Sequence, residues 1–174
     1  RNVVGIGIGG IEQQASAENF RRLYKSAAAQ GLRLTAHAGE TMGPESVWAA
    51  LNIGAERIGH GLSIMRDPEL VEVLAQKQVP VEVCISSNLR TGVYPKVSAH
   101  PVKTMFDHGL MLTLNTDDPE MFQTSLSREY ELARKEFGFA EDQLRELARN
   151  SFEASFLPPA KKLEFLQRID AHVL

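Results

Sequence analysis

At 174 residues the chain is long enough for one domain with its own core, and 43% hydrophobic with 24% charged residues is an ordinary globular balance. A net charge of −3 at pH 7 argues against nucleic acid or an anionic membrane as the main partner, since both attract basic patches. No stretch approaches the roughly 18 unbroken apolar residues of a membrane span, and the single cysteine, Cys84, excludes an intrachain disulfide framework and any multi-cysteine metal site. The expected setting is the cytoplasm.

The opening Arg1-Asn2-Val3-Val4 has no initiator methionine and runs at once into a strand, which reads as a chain beginning inside a larger fold. Val3 to Ile8 is apolar and β-branched and stops at Gly9-Gly10, as a buried strand before a tight loop does. Ser16 caps a predicted helix to about Gln30, with Phe20, Leu23, Tyr24 and Ala27 at helical spacing and Gly31 as its stop. A second strand covers Leu32 to Ala36, a helix Glu45 to Leu51, and Arg57-Ile58-Gly59 enters a third strand. Asp67-Pro68 is a cap plus a first-turn proline opening a helix to about Lys77. Val79 to Cys84 is the fourth strand, Val102 to His108 a helix stopped by Gly109, and Leu110 to Leu114 the fifth strand. Helices then follow over Ser125 to Phe137, Glu141 to Asn150 and Pro158 to Ala171.

Strands alternating with helices predict an α/β protein with a parallel sheet, either doubly wound or part of a (β/α)8 barrel. The placement of chemistry-capable residues favours the barrel. They fall just after strand C-termini, where barrel active sites are built.

His37-Ala38-Gly39-Glu40 follows the second strand. A neutral imidazole there can bind a metal, and a carboxylate three residues on can enter the same pocket as an acid. The competing reading is a packed histidine beside a helix-start glutamate. His60 in Arg57-Ile58-Gly59-His60-Gly61 repeats that location after the next strand, between glycines that let backbone approach a ligand. Asn115-Thr116-Asp117-Asp118-Pro119 follows the fifth strand. Adjacent carboxylates there repel unless a cation or hydrogen-bonding ligand compensates, although Asp-Asp-Pro is also good helix-cap material.

Gly5-Ile6-Gly7-Ile8-Gly9-Gly10 is not a dinucleotide fingerprint, because Gly5 and Gly7 lie inside the strand. Gly9 and Gly10 remain as possible backbone donors to a substrate. Ser86-Ser87-Asn88 reads as polar pocket lining without a nucleophile elbow. His100 and His108 read as packed or surface residues, His172 carries no signal, and Cys84 reads as a small apolar residue on a buried strand.

Taken together, H-A-G-E, R-I-G-H-G and L-N-T-D-D-P resemble the adenosine deaminase family of metal-dependent hydrolases, over nearly the whole chain. The resemblance implies the C-terminal part, about five β/α units plus terminal helices, of a single TIM-like (β/α)8 barrel domain spanning 1–174. It makes His37 and Asp117 ligands of one Zn2+, Glu40 the proton donor to ring N1, and His60 the residue that orients and deprotonates the attacking water. Asp118 becomes the partner of purine N7 and Gly10 the backbone donor near N3. A raised pKa on Glu40, supplied by a dry pocket, is part of this expectation.

The implied reaction is hydrolytic deamination of a 6-aminopurine nucleoside, adenosine or deoxyadenosine, to the 6-oxopurine and ammonia. Adenine or aminodeoxyfutalosine are alternative substrates. An amidohydrolase acting on a cyclic amide and a non-catalytic barrel acting as a binding module are the other readings. Two departures from the family pattern stand out. Gly7-Ile8-Gly9-Gly10-Ile11-Glu12 replaces the family's D-L-A-G-D-E, keeping the glycine and dropping both aspartates. The H-x-H pair that supplies two further zinc ligands is not in these residues, so they are expected from an N-terminal portion, the one protein partner foreseen besides the small-molecule purine.

Overall fold

The computed structural model describes residues 3–171; Arg1, Asn2 and His172 lie outside the described residues. Five strands, β1 (Gly5–Ile8), β2 (Arg33–Ala38), β3 (Arg57–His60), β4 (Val81–Val83) and β5 (Leu112–Leu114), form one sheet. Every neighbouring pair is parallel and the strand order follows chain order, β1-β2-β3-β4-β5. A doubly wound sheet reverses its order at a switch point, whereas a sheet winding one way strand after strand is the wall of a barrel. The fold is α/β, the C-terminal part of a TIM-like (β/α)8 barrel.

Strand lengths follow burial. The whole of β5 and the outer residues of β4 are buried, and the two strands are shorter than the apolar runs containing them. Strand β2 extends two residues past its expected end and so includes His37. Strand β1 is the larger correction: Val3 and Val4 are 64% and 61% exposed, and no β1 residue is fully buried. Among the described residues β1 has one strand neighbour, which leaves its other side open. Its glycines serve close packing, since a Cβ at Gly5 would sit 2.6 Å from the Arg33 carbonyl oxygen and one at Gly7 2.6 Å from Thr35 Oγ1.

Helix α1 (Arg21–Ala29) is entered through a 3-10 turn whose cap is Ser16, as its sequence predicts, the Glu18 N–H donating to Ser16 Oγ. Tyr24 and Ala27 face inward, but Leu23 is 57% exposed and does not share their face. Helix α2 (Pro44–Asn52) and helix α3 (Pro68–Lys77) follow, with Asp67 Oδ1 accepting from the Glu69 and Leu70 N–H groups at 3.0 and 3.2 Å. Two short helices were not foreseen: α4 (Ile85–Arg90) directly after β4, and α6 (Pro119–Phe122) after β5. Between them lies α5 (Val102–Asp107); α7 (Leu126–Phe137), α8 (Glu141–Glu153) and α9 (Pro159–Ala171) complete the chain, α8 packing on β5 and α9 on α8.

The main core lies between the sheet and these helices, with Ile58, Leu70, Leu74, Val81, Leu112 and Leu147 fully enclosed. Truncating Leu74 to Ala is expected to cost about 2–5 kcal/mol, and Ile58→Val about 0.5–1.5 kcal/mol. Urea unfolding with an unchanged m-value checks both.

Candidate functional site

All five strands point the same way, so their C-terminal ends share one rim. The β2–β3 register pairs His37 with Gly59 and Ala38 with His60, bringing two imidazoles from adjacent strands together with ring centroids 4.3 Å apart. Glu40 turns back beneath them. Its Oε2 lies 2.9 Å from His37 Nε2 and its Oε1 3.6 Å from His60 Nδ1. From the end of β5, Asp117 Oδ2 comes within 4.0 Å of His60 Nε2. Candidate ligand atoms of His37, Glu40 and His60 lie within 4.8 Å of one another, and so do those of His60, Cys84 and Asp117. Four of the six expected site residues therefore converge. Gly10 and Asp118 do not join them: both are exposed on the rim, Asp118 as the N-cap of α6.

The backbone is forced at two of these points. Among the described residues, His60 and Asp117 have φ of 64° and 55°, with Gln78 and Gln123 the other non-glycine residues at positive φ. The glutamines end helices, where this conformation is common. The histidine closes β3 and the aspartate sits three residues past β5, where no helix end accounts for a conformation that costs about 1–3 kcal/mol. Gly39 is the hinge of the Glu40 loop, since a Cβ there would sit 2.6 Å from Val47 Cγ2 at a φ of +73°.

Residues outside the expected set hold the cluster in place. Glu12 accepts from the Gly39, Thr41 and Met42 N–H groups at 2.5, 2.8 and 3.0 Å, clamping the loop that carries Glu40. It is the acid retained in Gly7-Ile8-Gly9-Gly10-Ile11-Glu12, so its role was open to reading. Ser87 Oγ donates to Asp117 Oδ2 at 2.7 Å, and Asn88 Nδ2 donates to Glu40 Oε1 at 3.3 Å and bonds His60 Nδ1 at 3.0 Å. Ser87 and Asn88 follow a strand C-terminus as the histidines do, and that position was their signal. Fully buried Glu129 on α7 accepts from the Ser86 N–H at 3.1 Å, which ties down the first turn of α4. His100 is buried against Tyr94 and Phe137, and its link to the site through Asn88 had no local signal.

Electrostatics corrects one expectation. Burial pushes Glu40 up, but the bond from His37, the charges of His60 and His37, and the Asn88 amide outweigh it, leaving its pKa below the usual range. His37 moves up, chiefly through that bond to Glu40. His60 moves down because burial disfavours its charged form. Burial also drives the Cys84 thiol well above its ordinary value, so at neutral pH it is a small apolar residue and no ready ligand. Beside His37 lies a cleft of about 460 Å³ lined by Gly9, Gly10, Glu12, Phe20, Met42 and others, while Glu40, His60 and Asp117 lie beyond its lining.

Comparison with known proteins places the chain in a family. The adenosine deaminase family model matches residues 1–172, and the chain belongs to that family. An aminodeoxyfutalosine deaminase of Streptomyces avermitilis is 44% identical over 171 residues, covering 98% of this chain and 48% of that protein. The crystal structure of an adenine deaminase from Arthrobacter aurescens superposes with a TM-score of 0.93 at 36% identity, covering 96% of this chain and 51% of that one. An amidohydrolase from Burkholderia ambifaria with bound zinc superposes at 0.90 and 30% identity, covering 97% of this chain and 48% of that one. The chain thus spans about half the length of the relatives it matches. No helix among the described residues is long and apolar enough to cross a membrane.

Burial lowers the pKa of His100 from 6.5 to about 4. Between those values the unfolded chain binds the extra proton, so stability falls as pH drops through the window and the loss ends below about pH 4. The full difference amounts to about 3 kcal/mol. Urea unfolding of the protein at pH 7 and pH 4.5 is expected to show this loss, and His100→Gln to reduce it.

Proposed function

We propose that the protein containing this chain hydrolyses the 6-amino group of a purine, releasing the 6-oxopurine and ammonia. The convergence of His37, Glu40, His60 and Asp117 at the C-terminal ends of β2, β3 and β5 carries this reading. We infer further that residues 1–174 are the C-terminal part of one barrel domain, with an N-terminal portion supplying the H-x-H pair.

Two clusters of candidate ligand atoms, His37–Glu40–His60 and His60–Cys84–Asp117, meet at His60, and an imidazole from the first with the carboxylate of the second is a donor pair suited to zinc. His37 and Asp117 would hold it from this chain. A zinc ion there supplies Lewis-acid activation of water near neutral pH. Glu40 in its acid form delivers a proton to ring N1, which makes C6 electrophilic. His60 orients the water that adds at C6. Asp118 takes purine N7 and the Gly10 N–H reaches N3, both positions being open on the rim as a ring-binding edge requires.

Adenosine or deoxyadenosine, adenine and aminodeoxyfutalosine all fit this chemistry. Relatives of comparable identity carry the last two names, and the family carries the first. The remaining contacts of each would come from outside these residues.

The ultraviolet absorbance change as a 6-aminopurine becomes a 6-oxopurine, followed on the complete protein with each compound, tests the reading. Turnover of one or more, abolished by a chelator and restored by zinc, is the expected result. Glu40→Gln is expected to lower kcat about 10²–10⁴-fold. No turnover of any 6-aminopurine would favour the cyclic-amide or binding-module readings. Residues 1–174 alone are expected neither to bind zinc tightly nor to turn over, and strong zinc binding by this segment would overturn the split-ligand arrangement.

A further inference from the structure

A chain of hydrogen bonds runs from the start of α5 into the site, and its direction is set at both ends. The Val102 N–H belongs to the first turn of α5 and can only donate; it meets His100 Nδ1 at 3.2 Å. His100 Nδ1 therefore carries a lone pair, and its proton is on Nε2. That nitrogen lies 3.2 Å from Asn88 Oδ1, to which it donates. The amide is then oriented with its oxygen toward His100 and its NH2 toward the site, where it reaches Glu40 Oε1 at 3.3 Å and His60 Nδ1 at 3.0 Å. Turning the amide over would set a carbonyl oxygen against the Glu40 carboxylate and, at the far end, two N–H groups against each other. Asn88 is completely buried and His100 is 5% exposed, so water does not relieve either clash.

We propose that Asn88 and His100 are positioning residues that fix the tautomer of His60, leaving its Nδ1 as an acceptor and directing its Nε2–H into the site. This rests on the reading of His60 as the residue that orients the attacking water. It also narrows the role that the resemblance implied, orienting and deprotonating the water, to orienting alone: the ring offers the water a donor, not a lone pair. The Nε2 so directed is the atom facing Asp117 Oδ2 at 4.0 Å. Histidines in metal sites are commonly set in this manner by the partner of their other nitrogen.

The experiment is side-chain nitrogen NMR on the complete protein, metal-free and zinc-loaded, at neutral pH with labelled histidine. Long-range proton–nitrogen correlations assign each ring's tautomer, and the His60 ring is identified by its loss in His60→Gln. The expected result is an Nε2–H ring at His60 in the wild type. Asn88→Asp, whose carboxylate can only accept, should convert it to Nδ1–H. His100→Leu should leave the ring as a mixture, while His100→Gln, which keeps one donor and one acceptor, should preserve the Nε2–H form. kcat should fall about 10–100-fold in Asn88→Asp and His100→Leu with KM changed less than about threefold, and recover in His100→Gln. Circular dichroism verifies that each variant is folded.

An Nδ1–H ring in the wild type would overturn the proposal, as would an Nε2–H ring that survives Asn88→Asp in a folded protein. Failure of the functional reading has a different signature. The wild type would then turn over no aminopurine while the NMR still reported the ring.

Discussion

The parallel ladder between β2 and β3 is the constraint on which the site depends. Because Ala38 pairs with His60 and His37 with Gly59, two histidines 23 positions apart in sequence meet at one rim with their rings 4.3 Å apart. That pairing leaves them one residue out of step, on opposite faces of a regular pleat, and the left-handed backbone of His60 (φ 64°) turns its ring to the side of His37. The register is held below the rim by enclosed Ala36 and Ile58, and by Glu56, which bonds both the Leu34 N–H and the Arg33 side chain. Apolar packing at the base thus fixes polar geometry at the top.

Concentrating ionisable groups on that rim has a cost that the surrounding structure meets. Strained backbone at His60 and Asp117, and buried polar groups at Asn88 and Glu129, would each destabilise an isolated element. Every one is tied to a neighbour: Asn88 bridges His60, Glu40 and His100, Ser87 holds Asp117, and Glu12 gathers three backbone N–H groups under the Glu40 loop. The unforeseen helix α4 is central here. Placed directly after β4, it gives Ser87 and Asn88 successive helical directions, one toward Asp117 and the other toward the histidines.

Glu40 illustrates how local environment decides chemistry. A dry pocket alone would raise its pKa, but its neighbours here are two imidazoles and an amide donor, which favour the carboxylate.

The succession of strands and helices and the H-A-G-E, R-I-G-H-G and L-N-T-D-D-P motifs were legible because a parallel α/β chain writes its period and its strand-end residues locally. Ser16 and Asp67 caps were legible for the same reason, being interactions over two or three residues. The exposure of Leu23 and Val3, the short helices α4 and α6, and the partners of Asn88 were not, since each depends on groups distant in the chain. By itself the sequence determined the family and the residues able to do chemistry. Only the tertiary structure decided that Gly10 and Asp118 stay on the rim, that Glu12 clamps the Glu40 loop, and that a buried histidine 40 positions from His60 orients it through an amide. Hydrogen-bond direction is a property of the packed ensemble of donors and acceptors, and no local pattern of residues encodes it.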